Sequence, residues 1–134
     1  MISFEDIEIG QSASLKRTFS EEDLILFSTL SMDVNPVHLD EVFAATTPFK
    51  QRIVHGFLYA SLISGVLGTK LPGPGAIYLS QEMKFLRPVY LEEEVKATVT
   101  VLEKDALKKT VVFETICTKA SGKMVLSGRA IIKC

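Results

Sequence analysis

The sequence predicts an α+β domain in which one central apolar helix is wrapped by a curled sheet of about five mainly antiparallel strands, with short helices overhanging one end. Three observations predict it. From Gly56 to about Leu71 the chain has no proline and is apolar almost all round, which marks an interior helix. After Pro72-Gly73-Pro74-Gly75 the apolar residues recur mainly with period two, as in half-buried strands. Between Ser20 and Pro48, capping residues and proline divide the chain into short helical pieces.

Taken in order, Ala13, Leu15, Arg17 and Phe19 alternate with Ser12, Ser14, Lys16 and Thr18, predicting a first strand. Ser20 is placed to cap a helix whose first turn holds Glu21, Glu22 and Asp23, carboxylates that favour the positive end of the helix dipole. Leu24, Phe27 and Leu30, with Ile25 and Leu26, should form its buried face, and it should end near Met32. Asp40 can cap a second short helix through Val42 to Ala45, limited by Pro48. Ala60, Ser61, Ser64, Gly65 and Gly68 keep parts of the apolar helix thin. A curled sheet covers only part of such a helix, so the remainder calls for another element or a second subunit, and a homodimer is expected.

In the strand region, Ile77, Leu79, Gln81, Met83 and Phe85 are predicted on one face, with Tyr78, Ser80, Glu82 and Lys84 on the other. Val95, Ala97, Val99 and Val101 mark the next strand. Thr110–Thr118 and Met124–Lys133 form two more around a turn at Ala120-Ser121-Gly122.

A chain of 134 residues is read as one domain, 1–134, large enough to bury a core. Its apolar fraction is 47% and its net charge −1, and no basic stripe is present, so neither nucleic acid nor an anionic membrane is an expected partner. Phe57–Leu67, the longest apolar stretch, is interrupted by serine and glycine and is too short to span a bilayer. Two cysteines without metal-type spacing, Cys117 and Cys134, fit a reducing compartment, and the acidic first ten residues lack a secretory pattern. The expectation is a cytoplasmic protein.

The chemistry-bearing stretch is Asp33-Val34-Asn35-Pro36-Val37-His38-Leu39-Asp40, followed by Val54-His55-Gly56. Pro36 disfavours helix at Asn35, so a loop is predicted that folds a carboxylate and an imidazole toward one point. Such a pair can take and give a proton near neutral pH. Asn35 suits the bend as a brace. By itself the run also matches an ordinary turn composition. A calcium loop is a poor match: His38 stands where glycine is required at position six, and Ala44 where an acidic ligand should close position twelve, so no metal is expected.

Asp33-x-Asn35-Pro36-x-His38-x-Asp40, Phe43-Ala44-x-Thr46, Ile53-Val54-His55-Gly56 and Leu71-Pro72-Gly73-Pro74-Gly75 resemble the MaoC-type dehydratases of the hot-dog fold. Within them the match is to single-domain (R)-specific enoyl-CoA hydratases of the polyhydroxyalkanoate-supplying type, and it covers essentially the whole chain. The resemblance implies hydration of a trans-2-enoyl thioester to the (R)-3-hydroxyacyl thioester, a hydro-lyase reaction. Asp33 and His38 would be the catalytic pair, with the base unassigned between them, and the Gly56 N–H would meet the thioester carbonyl. Ser64 would line the substrate site. Asn35 and His55 complete the binding set, Asn35 as the brace and His55 as a structural group or a direct contact. No cofactor is implied beyond coenzyme A or acyl carrier protein carried by the substrate. Rival readings are a hot-dog acyl-CoA thioesterase and a non-catalytic acyl-thioester-binding module.

Overall fold

A computed structural model describes residues 1–134. After a short 3-10 turn at Phe4–Asp6 come β1 (Ser12–Thr18), α1 (Glu21–Ser31), α2 (Pro36–Leu39), α3 (Glu41–Ala45), α4 (Gly56–Thr69), β2 (Ile77–Phe85), β3 (Glu94–Asp105), β4 (Thr110–Lys119) and β5 (Met124–Lys133). The five strands form one sheet in the order β1-β3-β4-β5-β2, every neighbour antiparallel. The predicted α+β architecture is the one found.

The core follows from alternation. Val95, Ala97, Val99 and Val101 of β3 and Val111, Phe113 and Cys117 of β4 are all buried on the face that meets α4. From α4 come Tyr59, Ala60, Ile63, Val66 and Leu67, spaced along one side of the helix. Each fully buried Ile, Val or Leu contributes roughly 1.5–3 kcal/mol of transfer free energy, so this interface carries much of the stability. The opposite side of α4, at Phe57, Ser61, Ser64 and Gly68, is exposed. That side, with Phe57 at its amino end and serine and glycine beyond it, is not covered by the helix's own sheet.

Ser20 caps α1 through a capping box: the Asp23 N–H donates to Ser20 Oγ at 3.3 Å and the Ser20 N–H donates to Asp23 Oδ2 at 3.0 Å. Three departures from the sequence reading are informative. The buried face of α1 is Leu24 and Ser28, while Ile25, Leu26 and Leu30 are exposed, because the overhanging helix touches the body along one narrow edge. Pro36–Leu39 is a turn of helix, whereas a loop was expected. Proline at the first helical position sacrifices no hydrogen bond, and Asn35 stays out of the helix as the cap, its Oδ1 accepting the Val37 N–H at 3.2 Å.

The third departure is in β2. A bulge between Tyr78 and Ser80 shifts the register, so Tyr78, Gln81, Met83 and Phe85 lie opposite the inward Ile132, Ala130, Gly128 and Leu126 of β5. Ile77 therefore joins Ser80 and Glu82 on the other face. One extra residue interchanges the faces.

The overhang is tied together by Arg52, whose Nε donates to Glu41 of α3 at 2.7 Å and whose Nη1 donates to Glu21 of α1 at 3.0 Å. No helix is long and apolar enough to cross a membrane.

Candidate active site

The site forms where α1, α2 and the amino end of α4 converge. Met32 ends α1 in the left-handed region, at φ 66°, and turns the chain so that Asp33 leaves the helix. The Asn35 N–H donates to Asp33 Oδ1 at 3.2 Å, which orients the carboxylate. The other oxygen, Oδ2, lies 4.0 Å from His38 Nε2. That separation is too long for a hydrogen bond, yet one solvent oxygen can bond to both.

His38 is almost fully buried on α2, and its Nδ1 stands 2.8 Å from the Ile53 carbonyl oxygen. A carbonyl only accepts, so Nδ1 carries the hydrogen and donates. In the neutral ring Nε2 is then bare and basic, facing Asp33.

His55 is 2% exposed. Its ring stacks on His38 at 3.8 Å between centroids and 23° between planes, with Phe27 edge-on at 4.9 Å. Its Nε2 is 3.0 Å from Ser28 Oγ and 3.3 Å from the Asp33 carbonyl oxygen. Burial, and secondarily the charge His38 can carry, hold His55 below the ordinary imidazole range.

Asp33, His55 and Gly56 line a cavity of about 580 Å³ whose walls include Phe57, Tyr59 and Phe85. His38 adjoins the cavity through two of its lining residues, its Nδ1 on the Ile53 carbonyl and its Nε2 facing Asp33. The Tyr59 hydroxyl donates to the Val125 carbonyl at 3.3 Å, and burial pushes its pKa well up, so it is a wall group rather than an acid. Gly56 opens α4, and its lack of a side chain gives the Phe85 ring its place: a Cβ there would stand 2.5 Å from that ring.

Of the residues singled out in the sequence, Asp33, His38, His55 and Gly56 are therefore brought together, with Asn35 as brace. Ser64 is not among them: it is exposed on α4 and does not line this cavity. Ser28 and the Ile53 carbonyl escaped the sequence reading. The only signal for Ser28 was its position four residues after Leu24, on the same helical edge.

One potential ligand atom from each of Asp33, His38 and His55 lies within 4.8 Å of the others. One nitrogen of each ring is already held by protein groups, His38 Nδ1 by the Ile53 carbonyl and His55 Nε2 by Ser28 and the Asp33 carbonyl. Proton handling suits this arrangement better than metal ligation.

The MaoC like domain model matches residues 4–122. The chain belongs to the MaoC-like family. This MaoC-like chain is 57% identical over 129 residues to the (R)-specific enoyl-CoA hydratase of Rhodospirillum rubrum, covering 96% of the chain and 89% of the relative. Among solved structures, it superposes on the (R)-hydratase from Aeromonas caviae involved in PHA biosynthesis with a TM-score of 0.94 at 43% identity, covering 96% and 98% of the two chains. R-hydratase PhaJ1 from Pseudomonas aeruginosa gives a TM-score of 0.93 at 46% identity, covering 99% of this chain and 85% of that one. The MaoC-like chain has the hot-dog fold, its α4 laid across the curled sheet.

Proposed function

We propose that this protein is a hydro-lyase that reversibly hydrates trans-2-enoyl thioesters to (R)-3-hydroxyacyl thioesters. The observation that supports it most is the carboxylate and bare imidazole nitrogen 4.0 Å apart beside an apolar cavity at the amino end of α4. Relatives of that activity, 57% and 43% identical, support the same reading.

In the proposed mechanism one water donates its two hydrogens to His38 Nε2 and Asp33 Oδ2. His38 takes one proton as the hydroxide adds to C3 of the substrate. The C2–C3 π pair moves onto the thioester carbonyl, forming an enolate whose oxygen accepts the Gly56 N–H at the positive end of the α4 dipole. The enolate collapses and C2 receives the proton from the catalytic pair on the same face. Water is consumed and no redox equivalent is needed.

The carrier, coenzyme A or acyl carrier protein, enters only as part of the substrate. A homodimer is proposed on the exposed side of α4 and the free edge of β2, whose Ile77, Tyr78 and Leu79 are also exposed. A cytoplasmic setting and a role supplying polyester monomers are part of the proposal, supported respectively by the two unpaired cysteines and by the Aeromonas relative.

Incubation with crotonyl-CoA tests the reading. Enoyl absorbance should fall without release of free thiol, and Asp33→Asn and His38→Gln should each lose about 10²–10⁴-fold in turnover while remaining folded. Free thiol would make the protein a thioesterase. Unaltered turnover in either variant would refute the assignment of that residue.

A further inference from the structure

The proposed chemistry leaves one polar pair unused: Ser28 and His55, buried against the reacting groups. Both are almost inaccessible, Ser28 at 3% and His55 at 2% exposure. Their side chains meet at 3.0 Å. The His55 nitrogen that meets Ser28 also lies 3.3 Å from the Asp33 carbonyl oxygen, which can only accept. Nε2 therefore bears the hydrogen, directed at the backbone of Asp33. The neutral ring then has a bare Nδ1, and that atom is buried with no partner in the protein. The same ring lies flat against His38.

An interior position chosen for packing alone would hold an apolar ring, with no nitrogen to strand. A buried acceptor without a partner costs stability, and such groups call for a functional explanation. Two contacts supply one. The Nε2–H fixes the backbone of Asp33 just after the left-handed Met32, and the ring face fixes the plane of His38.

We infer that Ser28 and His55 are a positioning pair for the Asp33–His38 couple: Ser28 anchors a neutral His55, which sets the Asp33 backbone with its N–H and the His38 ring with its face. In this role neither residue exchanges a proton with the substrate. The inference rests on the proposal that Asp33 and His38 carry out hydration.

Two variants of the full-length protein test it, assayed with crotonyl-CoA beside Asp33→Asn and His38→Gln. His55→Phe keeps the stacking plane and removes both the donor and the stranded nitrogen. It should remain folded while kcat per folded molecule falls roughly tenfold to hundredfold, with KM within about twofold of wild type. Ser28→Ala, a smaller change that will fold if His55→Phe does not, should lower kcat in the same direction with KM held. In wild-type protein, ¹⁵N-resolved imidazole spectra should report His55 neutral with its proton on Nε2.

A purely structural role predicts the reverse pattern, with activity falling only as far as the folded fraction falls. Wild-type kcat in folded His55→Phe or in Ser28→Ala, or a His55 proton on Nδ1, would overturn the inference. If Asp33→Asn and His38→Gln are inactive while the positioning variants match wild type, the inference alone has failed. If Asp33→Asn or His38→Gln remains active, the hydration reading itself has failed.

Discussion

Replacing Gly56 by alanine adds one methyl group to the cavity wall, directly against the Phe85 ring. The new Cβ would stand 2.5 Å from Phe85 Cε1, 2.9 Å from Cδ1 and 3.0 Å from Cζ. Ordinary contact begins near 3.4 Å, so the ring must retreat by about 1 Å. It is able to do so, because Phe85 is the last residue of an edge strand and is 48% exposed. Overpacking costs about 1–3 kcal/mol in a closed core, and a half-exposed ring should bring the loss to the lower end. Activity should suffer more than stability. The backbone N–H of Gly56 survives the change, but the displaced ring rearranges a wall it shares with Phe57 and Tyr59. A shift of that size near the reacting centre costs about 10²-fold in rate. The assay is crotonyl-CoA hydration together with urea unfolding, for Gly56→Ala, Phe85→Leu and the double variant. The smaller leucine should restore room and recover at least about tenfold of the lost activity in the double variant. Wild-type turnover in Gly56→Ala, or no recovery on adding Phe85→Leu, would refute the reasoning that Phe85 is what requires glycine here.

Three further outcomes follow from the geometry. Gly128→Ala should cost at least about 3 kcal/mol in urea unfolding, or prevent folding, because its Cβ would stand 1.9 Å from the Glu82 carbonyl oxygen, which belongs to the neighbouring strand and cannot swing away; a loss below about 1 kcal/mol would show that β2 is free to slide. Met32→Gly should gain about 1 kcal/mol, since Met32 holds φ 66° and glycine adopts that conformation without the Cβ penalty; an unchanged or lower denaturant midpoint would argue that the Met32 side chain contributes more than its backbone costs. His55 should make the fold acid-sensitive. Its folded pKa lies below the ordinary 6.5, so on acidification the unfolded chain takes up the proton first and stability falls as pH drops through 6.5 toward the folded value. The slope is at most about 1.4 kcal/mol per pH unit. Urea midpoints at about pH 7.5 and about pH 5.5 should converge in His55→Phe; equal acid loss in both proteins would place the sensitivity elsewhere.

The α+β class, the central helix and the strands along the chain were legible because alternation and all-round apolarity are local patterns that survive folding, whereas the order of the strands in the sheet was not. The caps at Ser20 and Asp40 were legible for the same reason: a short side chain reaches only its own helix start, as Asp40 Oδ1 does in accepting the Val42 N–H at 2.9 Å and the Phe43 N–H at 3.1 Å. The β2 bulge was not, because an extra residue announces itself only through its partner strand. The exposure of Ile25, Leu26 and Leu30 was hidden too, since a helix carrying apolar residues on several sides does not say which side meets the body. At the site, Asp33 and His38 were visible as a spacing. The role of His55 depends on Ser28, 27 residues earlier, a relation no reading along the chain can supply.

Arg52 gives an apparently peripheral position unusual reach. The segment bearing Asp33 and His38 resembles a bridge deck, entered from α1 and left toward α3, and Arg52 braces both abutments at once through Glu21 and Glu41. Lysine there would preserve charge but lack the planar fork that serves two carboxylates in fixed directions. Residue 52 is therefore no free surface position: it ties together the two ends of the span that carries the chemistry and directly precedes Ile53, whose carbonyl holds His38.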